Sequence, residues 1–425
     1  MNRYYVANEK ADFNFYPNYS FEIGDIDGDG KKEFIALDQT GNMLKAIDLD
    51  GSLVFEQKLD NNGNWGTVLI AAADINGDGR DEVIVPCGNR IVAFDEKKNT
   101  IKEYKFDLHQ KDDYGICVPL LDVANIFSPD TPSVIAAAAG GVVTALDNNF
   151  KEIWRTGGFR GQYGHEIHFA DIDGDGLDEI AFCTVDHINR GFDKNANAGE
   201  LVLLDHDGTV LLRKRVDDYI DDTHFDDIAM ADFLGDGSSQ ILLEKGVLID
   251  LSGNIIWDVS KQMDHGQWIA YAPAPDGIGK IIFISELWGY DKKSMLLTGQ
   301  GQKIADIGKF PWPQRTEKAV FAPTRAHAVQ WDAQSNHEIF LTQQAVMGGH
   351  GSTETYRFSL TGLFMDLQGN LVGELPFDDA QIAGYYYNGE VHSKTADIDG
   401  DGLQEIIYPK QDGKIMVIKR AKEYD

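Results

Sequence analysis

The chain is poor in basic residues. It has 38 lysines and arginines against 69 aspartates and glutamates in 425 residues, a formal net charge of -31. That balance argues against nucleic acid as a partner, which rewards a basic surface, and against an anionic membrane surface. An anionic polymer would need a local basic patch. Cysteine is scarce as well: Cys87, Cys117 and Cys183 are odd in number, fit no zinc spacing, and lie in or beside apolar runs, so they read as buried thiols. No apolar run is long enough to span a bilayer. Helical periodicity is almost absent, which excludes an alternating α/β chain. The start, "MNRYYVANEK", lacks the pattern of a signal peptide. The protein is expected to be secreted if a leader has been removed from it and cytoplasmic otherwise.

What the chain has in plenty is aspartate beside glycine. "ADIDGDGLDEIAF" spans Ala170 to Phe182, and its nine-residue centre recurs. The copies run Asp25 to Glu33, Asp74 to Glu82, Asp171 to Glu179 and Asp397 to Glu405. A fifth, Asp232 to Gln240, has lost its third and ninth acidic positions. Close carboxylates repel one another unless a cation lies among them. Oxygen ligands at positions 1, 3 and 5, with glycine at the sharp turns, suit a hard ion such as Ca²⁺. The expected ligands are Asp25, Asp27, Asp29 and Glu33; Asp74, Asn76, Asp78 and Glu82; Asp171, Asp173, Asp175 and Glu179; and Asp397, Asp399, Asp401 and Glu405. Position 12 holds no glutamate, and "FIAL", "VIVP", "IAFC" or "IIYP" follows each ninth residue. This is not an EF-hand but a loop joining two strands. Bare Asp/Gly turns would need no ion, and four near-identical copies weigh against that reading.

Spacing gives the architecture. Asp25 to Asp74 is 49 residues, Asp122 in a ligand-free copy lies 48 further on, and Asp171 another 49. Further degenerate copies are "AYAPAPDGIGKIIFI" and "AVQWDAQSNHEIFL". Each unit also has a turn phrase, such as "DLDGSLVF", "DHDGTVLL", "DLSGNIIW" or "DLQGNLVG", of the kind that joins hairpins. One unit thus reads as four antiparallel strands, a propeller blade. The expectation is an all-β chain, one β-propeller domain over residues 1–425, with eight four-stranded blades, or seven if one degenerate unit is a false match. The last unit is one strand short, and the N-terminal "NRYYVA" has no unit of its own. It is expected to complete the last blade and close the ring, removing two sheet edges.

The Asp-x-Asp-Gly-Asp-Gly-x-x-Glu loop resembles the calcium loops of FG-GAP repeats in integrin-α-like propellers. With "GHEIHFADIDGDGLDEI", "DDTHFDDIAMAD" and "DHGQWIAYAP" added, the chain is also similar to the propeller polysaccharide lyases that act on rhamnogalacturonan, ulvan or rhamnosyl-glucuronate.

Loops on the side away from the acidic loops are where a site is expected. Asp171 to Asp205 spans 34 residues, against 23 from Asp25 to Asp48. His165, His168, His224, His265, His327 and His392 lead into first strands of the last five units. His187 and Arg190 lie in the long loop of the fourth, and His350 in that of the seventh. Such an arc suits proton transfer, or a zinc or other transition ion. Trp268, Trp288, Tyr290 and the run Tyr385-Tyr386-Tyr387 would stack on sugar rings or plug a channel. Trp154 and Trp257 should pack between blades.

A lyase must neutralise a uronate carboxylate, take the adjacent proton and protonate the leaving oxygen. The resemblance implies His, Arg and Tyr in these roles. Arg190 would neutralise the carboxylate, with Arg325 as substitute. His187 or His165 would be the base, helped by His224 and His265, and Tyr290 or Tyr386 the acid. His168, Trp268, Trp288, Arg325, His327, His350, Tyr385 and His392 would bind an anionic poly- or oligosaccharide. A glycoside hydrolase using Asp226 or Asp227 with Glu286, or a non-catalytic glycan- or protein-binding propeller, are the alternatives.

Overall fold

The computed structural model describes residues 4–10, 21–38, 42–59, 70–97, 99–107, 118, 120–138, 141–159, 162–185, 199–220, 227–263, 266–286, 293–307, 320–331, 337–346, 361–376, 393–409 and 415–420. They form 32 strands in eight four-stranded antiparallel sheets, the β-propeller expected from the repeats. Two single 3₁₀ turns, Val216–Asp218 and Ser260–Gln262, are the helical content among the described residues.

The first strand is β1 (Tyr4–Lys10). Blade 1 holds β2 (Phe21–Gly24), β3 (Glu33–Leu37), β4 (Met43–Ile47) and β5 (Leu53–Lys58). Blade 2 holds β6 (Ala71–Ala73), β7 (Glu82–Cys87), β8 (Arg90–Phe94) and β9 (Thr100–Lys105). Blade 3 holds β10 (Leu120–Ser128), β11 (Thr131–Ala138), β12 (Val142–Leu146) and β13 (Glu152–Gly157). Blade 4 holds β14 (Gln162–Ala170), β15 (Glu179–Val185), β16 (Glu200–Leu204) and β17 (Val210–Arg215). Blade 5 holds β18 (Ile228–Ala231), β19 (Gln240–Leu243), β20 (Val247–Ile249) and β21 (Ile255–Asp258). Blade 6 holds β22 (Gly266–Pro273), β23 (Lys280–Glu286), β24 (Ser294–Thr298) and β25 (Lys303–Ile307). Blade 7 holds β26 (Val320–Gln330), β27 (His337–Val346), β28 (Thr361–Met365) and β29 (Leu371–Pro376). Blade 8 holds β30 (Lys394–Ala396), β31 (Glu405–Pro409) and β32 (Ile415–Arg420). Its fourth strand is β1, in the order β1-β32-β31-β30, with Tyr4 opposite Arg420. The N-terminal strand closes the last blade, as its lack of a unit implied.

Contacts between residues divide the chain into two units. One is Tyr19–Ala231 with Asp250–Asn254; the other is Met1–Asn18, Asp232–Ile249 and Ile255–Asp425. Within the first unit, β2, β6, β10, β14 and β18 lie side by side in succession, and within the second β22, β26 and β30 do. First strands are therefore the inner strands. Strands covered on both faces read as unbroken apolar runs: β7 (EVIVPC) is buried at every position. Outer strands alternate, and β5 (LVFEQK) buries Phe55 while exposing its ends. The core is a series of layers between neighbouring sheets. Ile35, Leu44 and Phe55 of blade 1 pack with Val83, Val85 and Phe94 of blade 2. Ala270, Phe283 and Leu296 of blade 6 pack with Ile339, Leu341 and Met365 of blade 7. Each fully buried large aliphatic or aromatic side chain contributes about 1.5–3 kcal/mol. Cys87 and Cys183 are buried and form no disulfide, as their apolar settings implied; Cys117 lies outside the described residues.

Two tryptophans on outer strands fasten one blade to the next. The indole N–H of Trp154 donates to the His206 carbonyl at 2.8 Å, and the Thr156 hydroxyl to the Gly208 carbonyl at 2.7 Å. Trp257 repeats the device on Gly299 at 2.9 Å. The rings lie flat on glycine: Gly208 has φ 83°, and a Cβ there would stand 2.6 Å from the Trp154 ring. Trp154→Ala is expected to destabilise the chain by about 2–3 kcal/mol, through a lost hydrogen bond and an interblade void. A midpoint in urea unchanged from the wild type would show that this contact adds nothing.

Candidate functional site

Each acidic loop joins the first strand of a sheet to its second: β2 to β3, β6 to β7, β14 to β15, β18 to β19 and β30 to β31. The position-1 aspartate organises the loop with both oxygens. Asp25 Oδ1 accepts from the Gly28 and Asp29 amides at 2.7 and 3.1 Å, and Oδ2 from the Gly30 amide at 3.0 Å. Gly28 and Gly30 sit at φ 78° and 85°, a region closed to most side chains. The same bonds recur around Asp74, Asp171, Asp397 and the degenerate Asp232. Loop shape is thus set chiefly by position 1 and two glycines. Position 3 adds one bond in two loops, Asp27 Oδ1 accepting from the Asp29 amide and Asp173 Oδ1 from the Asp175 amide, each at 3.1 Å.

Position 9 lies underneath. One oxygen of Glu33, Glu82, Glu179 and Glu405 accepts the backbone N–H of the buried or half-buried isoleucine at position 2, at 2.7, 3.1, 2.9 and 3.1 Å. The second oxygen points into the loop. Glu33 Oε1 and Glu179 Oε1 are buried with no hydrogen-bond partner among the described residues. Glu82 Oε1 accepts from the Asn76 amide at 2.5 Å. A buried, unsatisfied carboxylate oxygen is costly, and a cation would satisfy it. In keeping with that, ligand atoms of Asp25, Asp27 and Asp29, of Asp171, Asp173 and Glu179, and of Asp397, Asp399 and Glu405 each lie within 4.8 Å of one another. Such groups can hold a metal ion, and the orphaned oxygens of Glu33 and Glu179 fit one.

Burial is the main reason that Glu33, Glu82 and Glu179 are each pushed up to about 7, with neighbouring aspartates adding to the effect. A raised carboxylate favours the protonated fold, so ion-free stability is full below the ordinary value of 4.5 and falls as pH rises through about 7. A cation binds the ionised form and reverses that slope. The melting temperature of chelated protein is therefore expected to fall between pH 5 and pH 7.5, roughly the window those values define, while affinity for a divalent ion rises. A flat profile in both conditions would overturn this assignment.

Sequence reading missed position 8, which clasps neighbouring blades. The Asp81 carboxylate accepts from the Asp25 amide and its own amide donates to the Asp25 carbonyl, both at 2.8 Å. Asp178 does the same to Asn125, and Gln404 to Gln330. Arg80, at position 7, reaches the Asp27 carbonyl at 3.1 Å. The loops of blades 2, 4 and 8 are thereby tied to the blade before each. Nothing in a single repeat signals this, because the partner lies 53 to 74 residues away in sequence.

The other end of each sheet carries the start of the first strand and the end of the second. There the first strands of blades 4, 6 and 7 share an irregularity. Pairing breaks between Tyr163 and Ile167 in β14, between Gly266 and Ile269 in β22, and between Pro323 and Ala326 in β26. Regular pairing resumes at Ile167 opposite Phe182, Ile269 opposite Ile284, and Ala326 opposite Leu341, the same height in each blade. His165, Trp268 and Arg325 fall in these three stretches. Bulges re-aim side chains and are enriched beside active sites. The Trp268 ring is 4% exposed, so it packs and does not present a stacking face.

His168 and His327 occupy one register, opposite Ala181 and Phe340. Each reaches the residue that leads into the next blade's first strand. His168 Nε2 is 3.0 Å from Asp227 Oδ1, and His327 Nε2 is 2.8 Å from Ser393 Oγ. Both are half-buried, and both hold two inner strands together. The backbones of His165 and Arg325 are placed, but their side chains are outside the described set. His187, Arg190, His224, His265, Trp288, Tyr290, His350, Tyr385, Tyr386 and His392, with Asp226, lie outside the described residues. Glu286 is buried at the end of β23, its amide donating to Ser294 Oγ at 3.0 Å.

With sheets and loops in place, the class is defined: an all-β propeller of four-stranded blades with acidic loops between first and second strands. Residues 25–85 match the FG-GAP-like repeat family. No curated protein matches the chain. Among solved structures it is similar to the exotype rhamnogalacturonan lyase YesX, with 18% identity and a TM-score of 0.58 over 98% of this chain and 74% of that one. It is also similar to BBS1N, solved in complex with ARL6DN, at 10% identity and a TM-score of 0.53 over 99% and 98%. A third is BamB from Moraxella catarrhalis, at 10% and 0.52 over 99% and 98%. At these identities the likeness is one of fold.

Proposed function

We propose that the chain is a polysaccharide lyase that cleaves a uronic-acid-containing polymer by β-elimination, on a scaffold pinned by structural Ca²⁺ in its acidic loops. The observation that carries the reading is the set of bulges at one height in β14, β22 and β26, at the sheet ends away from the acidic loops. They put His165 and Arg325 on irregular backbone, where side chains can turn towards a ligand. The fold shared with a rhamnogalacturonan lyase supports it.

In this reading Arg190, or Arg325, holds the uronate carboxylate and spreads the charge that builds as the neighbouring C–H breaks. His187 or His165 takes that proton as a neutral imidazole, helped by His224 and His265. The electron pair forms the carbon–carbon double bond, the C–O bond to the next sugar breaks, and Tyr290 or Tyr386 donates a proton to the departing oxygen. Bound Ca²⁺ neutralises the acidic loops and takes no part in these steps.

The test is incubation with pectic, ulvan-like and glucuronate-capped polysaccharides in the presence of Ca²⁺, following ultraviolet absorbance of the unsaturated uronate. A rising signal with one polymer is expected. New reducing ends without absorbance would replace the lyase by a hydrolase. Silence in both assays would favour a binding propeller, a reading supported by the similar fold of BBS1N, which was solved bound to ARL6DN.

A further inference from the structure

The last acidic loop differs from the others in what lies inside it. Lys419, on β32, places its ammonium 2.5 Å from Asp399 Oδ2, 3.0 Å from Glu405 Oε1 and 3.9 Å from Asp401 Oδ2. Glu405 Oε1 is the counterpart of the oxygens left without a partner in Glu33 and Glu179. We infer that Lys419 is the built-in cation of the Asp397–Glu405 loop, which therefore folds without a metal ion. The inference rests on the calcium reading of the other loops only for its ion count.

Sheet register shows how unusual this lysine is. Its predecessor Ile418 pairs with Ile406, the residue after position 9. The same step in other blades leads from Phe34 to Ile47, Val83 to Phe94, Ile180 to Leu204, Ile241 to Ile249 and Ile339 to Met365. The next residues are Asp48, Asp95, Asp205, Asp250 and Asp366. With Asp147 of blade 3, after Leu146 opposite Val134, six blades have an aspartate where blade 8 has a lysine, so the charge is inverted. In blades 1 and 4 that aspartate adds a further negative charge near the loop.

The reason blade 8 can dispense with aspartate is topological. In the others the residue starts the tight turn into the fourth strand: Asp250 Oδ1 accepts from the Ser252 and Asn254 amides, and Asp366 Oδ1 from those of Gln368 and Asn370. In blade 8 the fourth strand is β1, from the other end of the chain, so this position does not have to start a turn into it. β32 runs on, with Lys419 opposite Tyr5. The position is free of turn chemistry, and a long cationic side chain reaches the loop. The blade that joins the chain's two ends would then be independent of the metal supply.

The experiment counts bound Ca²⁺ by native mass spectrometry and measures melting temperature with and without chelator. Wild type is expected to bind three ions, Glu179→Gln two and Glu405→Gln still three. Lys419→Met is expected to bind four. In chelator Lys419→Met should melt several degrees below wild type, because its carboxylates are left without a counter-charge, and Ca²⁺ should restore it. Four ions on wild type, or two on Glu405→Gln, would overturn the inference. So would equal melting of Lys419→Met and wild type in chelator. No ion on any variant would instead remove the calcium reading, leaving the chelator comparison to decide the role of Lys419.

Discussion

Chelating Ca²⁺ is expected to lower the melting temperature by about 10 °C or more. One ion at a concentration a hundredfold above its dissociation constant stabilises a fold by roughly 2.7 kcal/mol. Three such ions together offset the repulsion among the clustered carboxylates of the loops at Asp25, Asp74 and Asp171. A shift of 1 kcal/mol moves the midpoint of a large domain by about 2 °C. Glu33 Oε1 and Glu179 Oε1, buried with no partner among the described residues, are the groups most exposed to the loss. Mg²⁺ should rescue poorly, since it holds to a tight octahedral shell and sheds water reluctantly. Single-site variants refine the result. Gln240 already holds position 9 of the loop at Asp232, accepting the Phe233 amide at 2.8 Å, so Glu179→Gln keeps the local hydrogen bond and loses the ion ligand. It should reproduce about a third of the chelator effect. If chelation leaves the midpoint unchanged but abolishes turnover, the ion acts in catalysis and the structural role is wrong.

The loops and blades were legible because each is written in one short stretch. Asp25, Gly28 and Gly30 are neighbours in sequence, and the turn they make is local. The closing role of β1 was legible by subtraction, since one unit lacked a strand. Trp154 and Trp257 could be placed because an aromatic on an outer strand has the adjacent blade as its neighbour. What escaped is what depends on register between distant segments. Asp81 and Asp178 read as two more acids in acidic phrases, yet each clasps the blade before it. Lys419 reads as a basic residue near a chain end, and only the ladder from Ile406 to Ile418 shows that it stands where other blades have aspartate. The bulges in β14, β22 and β26 are equally silent in sequence, because a missed pairing has no composition. His168 and His327 were singled out as members of an arc. The structure adds that they share a register and that each already has a partner, in Asp227 and Ser393.

His187→Ala and Arg190→Ala are each expected to lower lyase turnover at least a hundredfold while leaving the melting temperature within about 2 °C of wild type. Removing a general base typically costs a factor of 10² to 10⁴, roughly the range for a group that must move a proton in the transition state. Removing the cation that holds the carboxylate should cost about as much, because charge builds on that group as the C–H bond breaks. The two losses should differ in form. Without Arg190 the substrate carboxylate loses a partner it has in the ground state as well, so KM should rise along with the fall in kcat. Without His187 the fall should lie almost wholly in kcat, and the acidic limb of the pH profile, set by a neutral imidazole, should disappear. Both are polar residues of the long loop that the sequence places between the second and third strands of blade 4, which is why stability should hold. Full activity in both variants would shift the chemistry to His165 and Arg325 on the bulged strands, and the same assays on His165→Ala and Arg325→Ala would then decide it. Full activity in all four, with a real lyase signal from the wild type, would place the reaction away from these loops altogether.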